Sequence, residues 1–324
     1  MEQKSRDFLP IPITEFISGI TLPVDLYIRL GDDNFVLVGK GGTRSNVDQL
    51  KNYKDHDVDY LWVYKHEYQK LANQAISLAG IALSKKDLSQ HQKASVISGA
   101  TRAMFRQIEH MGFSAESYGS AKQITDAVVT LAESHVTMAA LFKSLATFSD
   151  QLVAHSVATS MVGTMIGQQM GFEKKATLEK IAMGALLHDI GLKSLPKALI
   201  QKPTAAMTPD ELALYETHSY KGMQMLTGLG IVPDDVVSIV YEHHENSIGQ
   251  GFPQRLRDVK MHPLAKIVSL ANAYCNLTIP NVNCPQPKNP REALMYIEAT
   301  LGIPFNREAF RALKRAIDAD SKAA

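Results

Sequence analysis

The sequence predicts a mainly α protein, with an all-α helical bundle in its C-terminal half and a small α/β module at its N-terminus. Three observations carry that prediction. Apolar residues recur at helical spacing from about residue 66 onward, as in Leu178, Ile181, Ala182, Ala185 and Leu186. Proline and glycine punctuate that stretch, and Thr208-Pro209-Asp210-Glu211 is a capping box with proline at the first helical position. Ahead of it, Asp25 to Leu30 alternates apolar and polar, Gly31-Asp32-Asp33-Asn34 supplies turn residues, and Phe35-Val36-Leu37-Val38 continues as a second strand.

Taken in order, residues 1–70 read as the α/β module. The hairpin is closed by Gly39 and Gly41-Gly42, a short helix follows around Val47 to His56, and a strand runs from Tyr60 to Tyr64. Nothing in it clusters ligands or nucleophiles, so it reads as an interaction or packing unit. Residues 71–145 read as connector helices and a partner surface. Leu71, Ala75, Leu78 and Ala79 share a helical face, as do Ile124, Val128, Leu131 and His135, with Gly112 and Gly119 bracketing a break. His91, His110 and His135 stand alone there and read as surface or satisfied interior residues. Residues 146–324 read as helix throughout. One helix carries Leu212, Tyr215, His218 and Gly222; another opens at His262-Pro263 and carries Ile267, Leu270, Ala271 and Tyr274.

Composition narrows the function classes. Among 324 residues, 34 Lys+Arg stand against 33 Asp+Glu, so the net charge is +1 and general binding to DNA or RNA is disfavoured. No apolar run reaches the roughly 20 residues that span a bilayer, and the first residues lack a signal-peptide pattern. Two cysteines, Cys275 and Cys284, give no disulfide framework, which points to a reducing, cytoplasmic setting. Histidine stands out: of 11, five fall between His155 and His244.

Those five sit where an apolar core is expected. The helix through Leu178 and Ala185 ends in His188-Asp189, and the helix through Val236 and Val240 ends in His243-His244; His155 and His218 lie on two further helices. Burying such groups unpaired costs several kcal/mol, about 2–7 for a neutral polar group and more for a charge. Side chains that project inward from successive helices are how bundles build metal sites. Imidazole and carboxylate suit first-row transition metals.

On these residues the chain resembles a known family. Ala185-Leu186-Leu187-His188-Asp189-Ile190-Gly191 with Leu195-Pro196 looks like the HD motif of metal-dependent phosphohydrolases. His218-Ser219-Tyr220-Lys221-Gly222, together with His243 through Pro253, resembles the HD-GYP branch, whose members hydrolyse cyclic di-GMP. The resemblance covers about residues 149–310. It implies an HD-type helical domain with two divalent metal ions, iron or manganese. His155, His188 and Asn272 would hold one ion and His218, His243 and His244 the other, with Asp189 bridging them and positioning the nucleophilic water. Where some members place a third metal ligand this chain has Gln151, so two metals are expected. Gly249, Gly251, Phe252 and Pro253 form the expected ligand or partner loop, with Lys193 nearby.

The chain also departs from that pattern. The motif tyrosine is Phe252, the lysine three residues after the HD aspartate is Leu192, and the aspartate ahead of the loop glycines is Ile248. Asn272 and Cys275 stand where the family carries aspartates, and no Arg or Lys follows until Lys288. Lys193, Lys197 and Arg255 are the candidates to compensate. Positioned cations and oxyanion stabilisers supply about 10²–10³-fold each, so turnover of cyclic di-GMP is expected to be weak or absent. The favoured reading is a regulatory HD-GYP protein that binds a cyclic dinucleotide or related phosphate ligand and a protein signalling partner. An active bimetallic phosphodiesterase is the alternative, and a bare structural scaffold leaves six inward polar side chains unexplained.

Overall fold

The structure, a computed structural model, describes residues 7–13, 16, 20–45, 52–53, 55–56, 58–84, 88–133, 141–142, 145 and 150–323. The chain divides into two compact units, Met1–Leu78 and Ala79–Ala324.

In the first unit, β1 (Phe8–Pro12), β2 (Leu26–Arg29), β3 (Phe35–Gly39) and β4 (Tyr60–Tyr64) form an antiparallel sheet in the order β1-β4-β2-β3. The expected hairpin is β2–β3. Strand β1 was not anticipated, because Pro10 and Pro12 mask its alternation. Leu9, Ile11, Leu26, Leu61 and Val63 are buried, as period-2 alternation requires. Phe8, Tyr27, Phe35, Trp62 and Tyr64 contact one another through stacked and edge-on rings. The helix expected around Val47 to His56 falls largely outside the described residues.

Helices α1 (Tyr68–Ser84), α2 (Gln90–Met111) and α3 (Ala115–Glu133) follow. The break between α2 and α3 is at Gly112 to Ser114, where Gly112 takes φ 82° and Ser114 and Ser117 exchange hydrogen bonds that start α3. Gly119 lies inside α3 and does not bracket that break. His135 is outside the described residues.

The remaining helices are α4 (Gln151–Gln169), α5 (Lys175–Leu187), α6 (Lys197–Ile200), α7 (Pro209–Glu216), α8 (His218–Leu229), α9 (Asp234–Glu242), α10 (Pro263–Thr278), α11 (Pro290–Ala299) and α12 (Arg307–Ala323). Helix α4 is buried on every side from Val153 to Gly167, the mark of a central helix. It packs on α2, α3, α5, α10 and α12, while α5 also packs on α9. The single helix expected to run from Thr208 through Gly222 is two, α7 and α8, separated at Thr217. The capping box at Thr208 is formed as expected, and α10 opens with His262 as its cap and proline at its first turn. No helix among the described residues is long and apolar enough to cross a membrane.

Candidate metal centre

Each histidine owes its place to a helix end or a central helix. Helix α5 is buried throughout from Ile181 to Leu187 and stops at His188, so both His188 and the following Asp189 are delivered at the buried end of that helix. The 3₁₀ turn Ile190–Ser194 then runs against α8. Gly191 permits that approach: a Cβ there would lie 1.9 Å from the carbonyl oxygen of His218. His243 caps the C-terminal end of α9, His155 lies on α4 and Asn272 on α10.

The structure brings all seven residues together. Asp189 is common to two groups of convergent atoms, one with His155 and His188 and the other with His218, His243 and His244, the atoms of each group lying within 4.8 Å of one another. Its two carboxylate oxygens divide between them. Oδ2 lies 3.2 Å from His188 Nε2 and 3.9 Å from His155 Nε2, and Oδ1 lies 3.4 Å from His218 Nε2 and 3.6 Å from His243 Nε2. Asn272 Oδ1 is 2.9 Å from His155 Nε2. His91 and His110 stand in no such group among the described residues. Gln151 begins α4 as an exposed residue.

The ring tautomers follow from the backbone. Nδ1 of His188, His218 and His243 lies 2.7, 2.8 and 2.7 Å from the carbonyl oxygens of Ala185, Tyr215 and Val240, each three residues earlier. A carbonyl only accepts, so each Nδ1 carries a proton and donates it, and in the neutral ring Nε2 then presents a lone pair. His218 Nε2 and His243 Nε2 face each other at 3.2 Å, an arrangement of two acceptors that calls for a cation. Asp189 Oδ1 beside them is buried and has no hydrogen-bond partner. These residues therefore fit divalent ions held by imidazole nitrogen and carboxylate oxygen, with the second ring nitrogen of His188, His218 and His243 tied to the backbone as metal-binding histidines usually are, while His155 Nδ1 is buried without a partner.

The electrostatics agree. Burial opposes the charge on Asp189, but the imidazoles of His188, His243 and His218 outweigh it and hold the carboxyl well below its usual range. Burial, reinforced by neighbouring rings, pushes His155 and His243 down to about 4 and His244 well below its ordinary value. Burial also lowers His218. His188 is raised, since the charge of Asp189 and its hydrogen bond overcome the effect of burial. The cluster at neutral pH is thus an anion surrounded mostly by neutral imidazoles, ready to accept positive charge.

Around this cluster the neighbouring side chains are engaged with other parts of the protein. Leu192, 8% exposed, packs with Leu195 and Leu199 against Leu152, Ile200, Met207 and Tyr215. The ammonium groups of Lys193 and Lys197 both meet the Glu109 carboxylate of α2, at 3.1 and 3.0 Å. Phe252 stacks on the His244 ring at 4.3 Å between centroids and meets His218 edge-on. Gly251 lies against His244 and Glu245, where a Cβ would come within 2.3 Å of the His244 carbonyl oxygen. Ile248 is 49% exposed and Pro253 is exposed, while Gly249 is half-buried with φ 76°.

Four residues near the site were not singled out from the sequence. The fully buried Glu245 accepts hydrogen bonds from Gln254 N and Leu256 N and so shapes the 247–256 loop; its place directly after two adjacent histidines was the available signal. Tyr215 lies 5.1 Å from the His218 ring, and burial raises its hydroxyl above the ordinary tyrosine range. Glu109 is 79 residues before His188 in sequence, and no local pattern links them. Asn276 donates to Asn272 Oδ1 at 3.0 Å, a pairing hidden in an ordinary helical repeat.

Known proteins resemble this chain in sequence and in fold. The family described as HD domain matches residues 139–303, just over half of the chain. The cyclic di-GMP phosphodiesterase PA4108 of Pseudomonas aeruginosa is 27% identical over 232 residues, which cover 71% of this chain and 53% of that protein. A cyclic di-GMP phosphodiesterase of Thermotoga maritima is 26% identical over 159 residues, covering 49% of this chain and 42% of the relative. The chain therefore spans about half the length of the curated relatives it matches. In fold it is similar to Bd1817, a HDG"Y"P protein from Bdellovibrio bacteriovorus, with a TM-score of 0.70 and 22% identity over 96% of this chain and all of the other.

Proposed function

The chain belongs to the HD domain family, and from that premise we propose that its helical unit is a dinuclear HD-GYP centre that binds cyclic di-GMP or a related phosphate ligand with little or no turnover. In this reading His155, His188 and Asn272 hold one ion, His218, His243 and His244 the other, and Asp189 bridges them. Iron or manganese is the expected metal. When bound, such an ion pair supplies Lewis acidity and a nucleophile at neutral pH for attack on a phosphodiester. The observation that carries the proposal is the division of the Asp189 oxygens between two imidazole groups, with Oδ1 lacking any hydrogen-bond partner.

The chain's own residues support the regulatory half. Leu192 is committed to an apolar cluster, and Lys193 and Lys197 are committed to Glu109, so neither cation is turned to a phosphate group. Phe252 lies flat on His244 and offers no hydroxyl. The 247–253 loop, with Gly249, Gly251, Phe252 and Pro253, is the proposed contact for ligand or protein partner. Residues 1–70 act as an interaction module, 71–145 as a helical connector and 146–324 as the metal-binding domain, in a cytoplasmic setting where Cys275 and Cys284 stay free.

The alternative is an active phosphodiesterase, favoured by the names of the curated relatives. One experiment separates the two. Protein purified without oxygen and loaded with iron or manganese is incubated with cyclic di-GMP, followed by binding and product analysis. The regulatory reading expects about two ions per chain, measurable nucleotide binding, and turnover at least ~100-fold below the ordinary enzyme range of about 1–10³ s⁻¹. Turnover within that range, abolished by Asp189→Ala, would establish the phosphodiesterase. Metal content that stays near zero under saturating iron, manganese or zinc would remove both readings.

A further inference from the structure

We propose that Asn276 is a positioning residue, holding the Asn272 side chain with its carbonyl oxygen, rather than its NH₂ group, turned toward His155. The proposal rests on the dinuclear reading above and needs no assumption about turnover.

The chemistry begins with the amide. A carboxylate presents two equivalent oxygens, so a half-turn of its terminal group changes nothing. An asparagine presents an oxygen on one side and an NH₂ on the other, nearly identical in shape, and only the oxygen can accept a proton or ligate a cation. Wherever asparagine serves as an oxygen ligand, something must select the orientation. Asn272 is 3% exposed, so water is not available to do it.

Asn276 supplies the selection. It lies one helical turn further along α10, where i and i+4 side chains meet. Its Nδ2 donates to Asn272 Oδ1 at 3.0 Å, and the same oxygen is 2.9 Å from His155 Nε2. With Asn276 oriented as it is, Nδ2 toward Asn272, an NH₂ in that place would set donor against donor. The end of the helix is itself pinned, because Asn281 Nδ2 donates to the backbone carbonyls of Asn276 and Ile279 at 3.0 and 2.9 Å. Asn276 thus makes a neutral amide serviceable at a position where a carboxylate would need no such help. Groups that orient a metal ligand in this way typically carry about 10- to 100-fold in metal affinity.

The test uses the full chain purified without oxygen and titrated with Co²⁺, whose visible absorption reports the ligand field, alongside elemental analysis. Asn276→Ala is a helix-compatible change, and a circular-dichroism melt checks the fold. The expected result is a wild type that takes two ions and an Asn276→Ala variant in which one ion binds about 10- to 100-fold more weakly, with an altered absorption spectrum, while the other is unchanged. In the Asn272→Asp background the same Asn276→Ala change is expected to have no effect, because a carboxylate needs no orientation. Two results overturn the proposal alone: unchanged affinities and spectrum in Asn276→Ala, or an equal loss in both backgrounds, which would assign Asn276 a packing role. A wild type that takes no ion overturns the dinuclear reading and this inference with it.

Discussion

Two neighbouring parts of the helical unit are built on opposite terms. Around Asp189, polar atoms converge and stop short of partners: two ring nitrogens face each other at 3.2 Å, and a buried carboxylate oxygen accepts nothing. Along the 190–199 stretch, by contrast, Leu192 packs among leucines and both lysines meet Glu109. Atoms left without protein partners in a buried place are arranged for something that arrives from outside, whereas groups closed upon each other are not. In the proposed reading, this contrast is what would let one chain hold ions while having little means to work on a phosphate ester.

The contrast can be broken at three points. The largest effect is expected at Gly191, whose backbone lies against His218 so closely that a methyl group has no room. Gly191→Ala should cost more than about 3 kcal/mol and lower metal content at both groups, read by urea denaturation and elemental analysis; a mild effect would mean the turn and α8 are not held in register.

Leu192→Ala comes next. It should cost about 2–4 kcal/mol, as buried leucine truncations do, while metal content stays at the wild-type level. Loss of metal in that variant would show that the two regions are one cooperative structure and not two.

The smallest effect concerns Glu109. Two lysines hold its carboxyl down to about 2 from the ordinary 4.5, against a burial effect that opposes them. A carboxyl depressed in the folded state stabilises above its unfolded value and loses that contribution as pH falls through its folded one. The advantage of the wild type over Glu109→Gln should therefore be complete above pH 4.5 and vanish toward pH 2. The side chains are partly solvated, so it should stay below about 1 kcal/mol and shrink with salt. A pH-independent difference between the two proteins would show that the ion pair contributes nothing to stability.

Much of this was legible in the sequence. The helix ends at His188 and His243, the cap at Thr208 and the β2–β3 hairpin each rest on spacing within one element, and local patterns report local structure faithfully. The five histidines and Asp189 were legible too, because packing alone gives no reason to place histidines on successive apolar helices, whereas Asn272 was an expectation of the family resemblance alone. What escaped was of another kind. The division of α7 from α8 at Thr217 interrupts an apolar pattern that continues across it, since Thr217 itself remains in the right-handed helical region, at φ −67° and ψ −12°. Strand β1 is disguised by its prolines. The meeting of Glu109 with Lys193 depends on tertiary packing across 84 residues, and pairing at that range leaves no trace in a single sequence. Asn276 escaped for a subtler reason: its i+4 spacing from Asn272 was visible, but only the observed orientation of the amide gives that spacing a meaning.

The backbone anchors of His188, His218 and His243 have one more consequence. Each ring is fastened by its own segment, to a carbonyl three residues behind it, and none of these fastenings depends on a bound ion. The rotational freedom of the three side chains is therefore surrendered during folding rather than during loading. An ion entering such a frame would find these three rings already oriented, with none of their rotational freedom left to lose.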